Sequence, residues 1–336
     1  MDHLIQASLG LLPVLFFLTS LVFLDSYKLV RFSSILVTIL IGCVAALLSL
    51  FVNNSILGLV GDRLTLYSRY SAPLVEETFK AGFFIYLLKT KRIGFLVDAA
   101  IYGFAIGAGF SLVENIYYLS TLQNADILLW MIRGFGTAIM HGGTMAILGM
   151  LSKNISDRYS SEKLLVFLPG LVVAIAIHSF FNHFLFSPLV TTVVQLLSLP
   201  IIILIVFHQS EKSLRFWLEV GFDMDVLILD MIVTGNIGTT RIGKYLHSLT
   251  ERLPGEVVAD MLCLLRTHLE LSIRAKGILL LREAGFEVPA DPEIAEKFKE
   301  LRYLEKSIGK TGRLALSPFL HTTSRELWQL HMLHSR

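Results

Sequence analysis

Two cysteines in 336 residues exclude a disulfide-stapled fold: Cys43 lies within an apolar run and Cys263 in the polar C-terminal part, so they cannot pair. No CxxC spacing offers a cysteine zinc site either. Charge is scarce as well, at 17% of residues, where a water-soluble globule carries about a quarter. The shortage is local. Up to Phe207 there are 22 charged residues in 207 positions, and from His208 onward 34 in 129. So apolar a chain is not a nucleic-acid-binding globule, and a net charge of +2 points to no partner. Strict apolar–polar alternation is missing too, which excludes a porin-type barrel. No Lys or Arg precedes the first apolar run and no small-x-small site closes it, so it reads as a retained helix, not a cleaved leader. Repeats of fixed period and low-complexity stretches are absent.

What fills the first part is long apolar sequence. A spanning helix needs about 20 mostly apolar residues, and seven stretches meet that length: Leu4–Leu24, Phe32–Gly61, Ser71–Leu88, Ile93–Leu119, Ala125–Leu151, Leu164–Ser187 and Pro188–Phe207. The second is overlong and is expected to break near Asn53-Asn54. The pattern predicts an all-α, polytopic transmembrane helical bundle of about seven spans in residues 1–207, followed by a small helical domain in residues 208–336. Within the latter, Ile294, Phe298, Leu301 and Leu304 recur at near-helical spacing. Gly235-Asn236-Ile237-Gly238 lacks the spacing of a phosphate-binding loop and reads as a turn.

Positive residues set the expected orientation. Alternate loops hold eight of them: Lys28, Arg31, Lys89, Lys91, Arg92, Lys153, Arg158 and Lys163, against Arg63 and Arg69 in the other set. The protein is therefore expected in a membrane with its N-terminus extracytoplasmic and its C-terminal domain cytoplasmic.

Ionisable residues within spans cost about 2.5–3.5 kcal/mol each on insertion scales, so each needs a partner or a task. The third stretch carries Glu76, Glu77 and Lys80, with both carboxylates at helical spacing to the lysine. The pair points about 100° apart around the helix, so one Glu is left over after an ion pair has formed. The fourth carries Glu114 after Gly103, Gly107 and Gly109, which allow a neighbouring helix close. The fifth has Arg133 and His141 on roughly one face; the sixth has His178 and Asn182 four residues apart, with His183 pointing elsewhere. Asp98, about a turn from its helix end, is expected to be solvated. Taken singly, each has a structural explanation: an ion pair that lets a polar helix insert, or a hydrogen-bonded core histidine. Together, Glu and His from four spans are the donors that bind Zn²⁺ or another divalent ion and activate water. A helical rise of 1.5 Å per residue puts Glu76, Glu77 and Glu114 about 8–9 Å inside the outer end, and His178 about 14 Å. His141, about 24 Å from Ala125, is the outlier.

In order along the chain stand Glu76-Glu77-Thr78-Phe79-Lys80, Phe110-Ser111-Leu112-Val113-Glu114, His141 and His178-Ser179-Phe180-Phe181-Asn182. This EExxK, FxxxE, H and HxxxN series resembles that of PrsW-type intramembrane proteases, which are related to type II CAAX prenyl proteases and abortive-infection proteins. The resemblance implies a membrane-embedded peptidase, a zinc enzyme of the bacterial cell membrane, acting on membrane-anchored proteins; the best-known members cut a single-pass anti-sigma factor at its extracytoplasmic side. It implies Glu76 as general base, Glu77 as its orienter or the partner of Lys80, and Glu114, His141 and His178 as metal ligands or polarisers of water. His178 would share in catalysis, and Asn182 would stabilise the oxyanion. Glu114 stands where CAAX proteases carry a histidine, so ligand roles do not transfer one to one, and a metal-free Glu/His mechanism stays open.

A second reading is a proton- or cation-coupled transporter or channel relaying ions through the same Glu and His residues; it predicts inverted repeats, and none is visible. A third, a receptor or scaffold, explains the tail but not the clustered Glu and His. The tail's balanced charge fits a helical module that binds a cytosolic partner, oligomerises or regulates the peptidase.

Overall fold

The computed structural model describes residues 2–60, 64–122, 125–159, 163–289, 291–320, 328–330 and 332–333. Every element among them is helical, and the chain forms two compact units, Met1–Glu211 and Lys212–Arg336.

In the first unit, α1 (Asp2–Phe23) and α2 (Phe32–Val60) are followed by a short helical turn and a π-helical stretch, Tyr67–Ser71, leading into α3 (Ala72–Lys89). Next come α4 (Leu96–Thr121) and α5 (Ile127–Tyr159), the latter with a π-helical stretch at Ile132–Thr137. Then follow α6 (Leu168–Asn182) and α7 (Pro188–Val233). Gly61 and Arg63, which the sequence reading placed at the end of the second stretch and in the loop after it, lie outside the described residues.

Among the described residues, six helices are long and apolar enough to cross a membrane. The seventh expected span, α3, is an 18-residue helix whose charges take it below that apolarity. Those charges point inward: Glu77 and Lys80 are fully buried. Elsewhere the apolar surface faces out, as with Val190, Val193, Val194, Leu197 and Ile201 of α7, an arrangement suited to lipid, where backbone polar groups must be satisfied within helices.

The core is α4. Ala99, Ala100, Ile101, Phe104, Ala105, Ile106 and Ala108 have no exposed surface, because α2 and α5 lie against it on glycine. A Cβ on Gly109 would stand 1.9 Å from the Ile39 carbonyl oxygen, and one on Gly107 2.0 Å from that of His141. Only glycine allows these helices so near, and the second contact holds His141 against α4.

Three expectations are corrected. The Asn53-Asn54 pair does not break α2, which runs unbroken to Val60: asparagine lowers helix propensity only slightly, and the Asn53 side chain is hydrogen-bonded to that of Glu76. Asp98 is fully buried instead of solvated; its carboxylate accepts the N–H groups of Gly94, at 2.7 Å, and of Phe95, also at 2.7 Å, capping the start of α4. Nor does the helix stop at Phe207, where hydropathy falls: α7 runs for 46 residues from Pro188 to Val233.

The second unit takes over within α7 and continues with α8 (Arg241–Leu249), α9 (Gly255–Glu283), α10 (Pro292–Ser307) and α11 (Gly309–Leu316). Thr240 caps α8 and Asp291 caps α10 through their side chains. Ile294, Phe298, Leu301 and Leu304 are buried. Gly235 has φ of 76°, the left-handed conformation of a helix stop, in keeping with a turn.

Candidate active site

Helix α3 presents its charges to two neighbours. Lys80 Nζ lies 2.5 Å from Glu77 Oε1 and 3.0 Å from His141 Nδ1. Glu77 Oε1 also meets His178 Nδ1 at 2.8 Å, and Glu77 Oε2 accepts from Thr144 Oγ1 at 3.3 Å. Glu77 thus ties α3 to both α5 and α6. Glu76, one residue earlier, turns elsewhere: its Oε1 accepts from Asn53 Nδ2 at 3.2 Å, and its Oε2 stands 3.8 Å from His178 Nε2.

Proton positions follow from what each partner can do. An ionised carboxylate only accepts, so His178 donates from Nδ1 to Glu77, and its Nε2 is left with a bare lone pair facing Glu76. An ammonium only donates, so His141 accepts at Nδ1 from Lys80 and carries its proton on Nε2. That proton is given to Glu114 Oε2 at 3.0 Å. The two imidazole rings meet edge to face, with centroids 4.8 Å apart.

Glu114 is anchored on its other side. Arg133 Nη2 lies 3.2 Å from Glu114 Oε1, and Arg133 Nε donates to Asn115 Oδ1 at 2.9 Å. Asn115 Nδ2 in turn donates to the Gly10 carbonyl of α1 at 2.6 Å. The guanidinium stacks 3.7 Å from the centroid of the Tyr118 ring.

These groups border a cavity of about 540 Å³ lined by Glu76, Glu114, Arg133, His141, His178 and Asn182, among others. Glu76, His141 and His178 each offer one donor atom, all within 4.8 Å of one another. Two imidazole nitrogens and a carboxylate oxygen form a donor set suited to Zn²⁺ or a similar ion, so the residues fit a metal. His178 Nε2 is free for one; His141 supplies a donor only by giving up its Nε2 proton or its bond to Lys80.

The expected residues are thus brought together, with two differences in arrangement. Glu76, not Glu114, completes the three-donor group, while Glu114 stands on the far side of His141. Asn182 lines the cavity but spends one of the two N–H donors of its Nδ2 on the Ser68 carbonyl at 2.9 Å, so an oxyanion role falls to the other. His183 stays apart, bonded to Ser179 O and the Tyr70 hydroxyl. The apparent depth of His141 along its own helix does not measure its distance from α3, because α5 is 33 residues long and carries a π-helical stretch before His141. Sequence reasoning missed Asn53 and Asn115. Asn53 carried a usable signal: with Asn54 and Ser55 it interrupts an apolar run, one turn from Ser49.

A family model described as PrsW family intramembrane metalloprotease matches residues 31–207, which include every residue of the three-donor group. Among curated proteins and solved structures, none matches the chain.

Proposed function

The chain belongs to the PrsW family of intramembrane metalloproteases, and from that premise we propose that Glu76, His141 and His178 hold a Zn²⁺ ion at which peptide bonds of membrane-anchored proteins are hydrolysed. Membership makes it an integral membrane hydrolase. The observation that carries the finer reading is the convergence of these three donors beside the cavity. Bound there, the ion would polarise the scissile carbonyl and acidify a water.

The protein's own groups supply the rest. Glu77 holds His178 by its Nδ1–H, so that Nε2 faces the site, the usual outer support of a ligating histidine. To serve as a ligand, His141 would release its Nδ1 from Lys80 and keep its Nε2–H on Glu114 Oε2. Arg133 holds that carboxylate in place through its other oxygen, where it would accept the proton of the attacking water. Glu76 and Glu114 thereby exchange the parts that the resemblance assigned them. Asn182, at the same cavity, would donate its second N–H to the developing oxyanion.

We place the protein in a bacterial cell membrane, N-terminus outside, by its loop charges, and take a single-pass regulator such as an anti-sigma factor as the substrate type. The unit Lys212–Arg336 would be cytoplasmic and meet a cytosolic partner. Co-expression with tagged single-pass proteins tests this: the wild type should release a fragment, and Glu76→Ala or His178→Ala should not, while both variants remain in the membrane. Cleavage by either variant at the wild-type rate rejects the site.

A further inference from the structure

Helix α2 carries no part of the motif series, yet it supplies a wall of the cavity through Ser49 and Asn53. Both are more than nine-tenths buried, at 1% and 7% exposure. Asn53 spends only its Nδ2, on Glu76 Oε1. Its Oδ1 and the Ser49 Oγ are enclosed atoms with no hydrogen-bond partner among the described residues. Buried polar atoms are ordinarily paired, and in a membrane helix an unpaired one is costly. Two of them, one turn apart and beside the catalytic groups, call for a ligand with complementary polar atoms.

We infer that Ser49 and Asn53 bind the main chain of the substrate in extended form, and that Asn53 is in addition a positioning residue for Glu76. The inference rests on the peptidase reading above. A peptide bond within a helix has its carbonyl and N–H engaged, so a spanning substrate must unwind around the bond to be cut. Unwinding exposes main-chain groups that lipid cannot satisfy. The spacing matches that need: residues i and i+4 of a helix are separated by about 6 Å of rise, and residues i and i+2 of an extended strand by about 6.6 Å. Ser49 Oγ and Asn53 Oδ1 can therefore engage groups two residues apart on one edge of the strand, much as a sheet edge captures an added strand. Asn53 Oδ1 and Ser49 Oγ each accept a main-chain N–H, groups of one kind that recur at that spacing on one strand edge. Glu76, held by the Nδ2 of the same asparagine, then stands at a fixed offset from the captured strand, which sets which bond reaches the site.

The experiment uses the full chain in lipid vesicles with a quenched-fluorescence single-pass reporter peptide, and Glu76→Ala as the control. Ser49→Ala should raise KM about three- to tenfold, the worth of one hydrogen bond, with kcat within about twofold, and Ser49→Thr should restore it. Asn53→Leu should lower kcat as well, because it also releases Glu76. A second measurement needs no folded variant: reporters with single amides near the scissile bond replaced by esters, which lack the N–H. One such position should lose cleavage by the wild type about three- to tenfold. Cleavage by the wild type and not by Glu76→Ala, with unchanged KM in Ser49→Ala and no sensitive ester position, overturns the inference and leaves the peptidase reading intact. Absence of cleavage by the wild type overturns both.

Discussion

Each compact unit buries a group of charges, and the two groups are built differently. In the second unit, Asp225 Oδ2 accepts from Lys276 Nζ at 2.6 Å and from Ser272 Oγ at 2.5 Å, with Gln329 Nε2 donating to Ser272 Oγ at 2.9 Å and the Trp217 ring beside the ammonium. One acid meets one base, both nearly buried. In the first unit three carboxylates, two histidines, a lysine and an arginine are linked, and Glu76, Glu114, Arg133, His141 and His178 of that group line a cavity. There His178 Nε2 faces Glu76 at 3.8 Å, beyond a hydrogen bond. A balanced, closed pair is a packing device; a group with surplus carboxylate and an unspent lone pair at a cavity is suited to chemistry. Burial of charge alone does not separate the two.

Substitution at matched positions sharpens this contrast. The largest effect is expected for His178→Ala, a loss of cleavage on the order of 10³-fold with little change in thermal stability, read by reporter kinetics beside unfolding in detergent. If stability falls and the remaining folded enzyme keeps full activity, the first cluster is packing after all. Next, Lys276→Met strands Asp225 and should destabilise the second unit by about 3–5 kcal/mol, whereas Asp225→Leu with Lys276→Met should recover most of it. Thermal unfolding of the three proteins decides, and a double variant no better than the single one breaks the contrast. Gly107→Ala follows: its methyl would meet the His141 carbonyl, and a shift of about 1 Å at that histidine should cost around 10²-fold in activity, again by reporter kinetics.

The smallest effect lies at the surface of the second unit. Burial would raise the Glu270 pKa, but hydrogen bonds from Lys297 and Arg266 outweigh it and hold the carboxyl below its ordinary value. Its contribution is thus present above the usual carboxylate pKa and lost as pH falls through the lower, folded value. Glu270→Gln should remove a small, salt-sensitive part of the acid destabilisation, measured as melting temperature from neutral to acidic pH.

Much of this was legible in the sequence, for identifiable reasons. Long apolar runs dictate helices whatever their neighbours, and polar groups within them stand out because lipid penalises them. Glu76, Glu77, Glu114, His141 and His178 were found that way. What sequence could not convey was partnership. Asp98 resembled a solvated interfacial residue until its carboxylate was seen capping α4. Asn53 resembled a helix break until it was seen on Glu76. The grouping of Glu76 with His141 and His178, and the place of Glu114 beyond His141, depend on side-chain directions across four helices, which no spacing within one helix specifies. The continuation of α7 past Phe207 is of another kind, since hydropathy reports the surroundings of a helix and not where it ends.

The central claim, that Glu76, His141 and His178 hold the catalytic ion while Glu114 moves a proton, is tested most directly by metal content. Purified wild type, Glu76→Gln and Glu114→Gln would be analysed side by side for bound zinc and for cleavage of one reporter. The wild type should carry zinc and cleave, Glu76→Gln should lose both, and Glu114→Gln should keep the metal and lose turnover. Zinc retained by Glu76→Gln and lost from Glu114→Gln would contradict the assignment, and full activity of a zinc-free wild type would contradict the ion itself, leaving Glu76 and His178 as a metal-free pair.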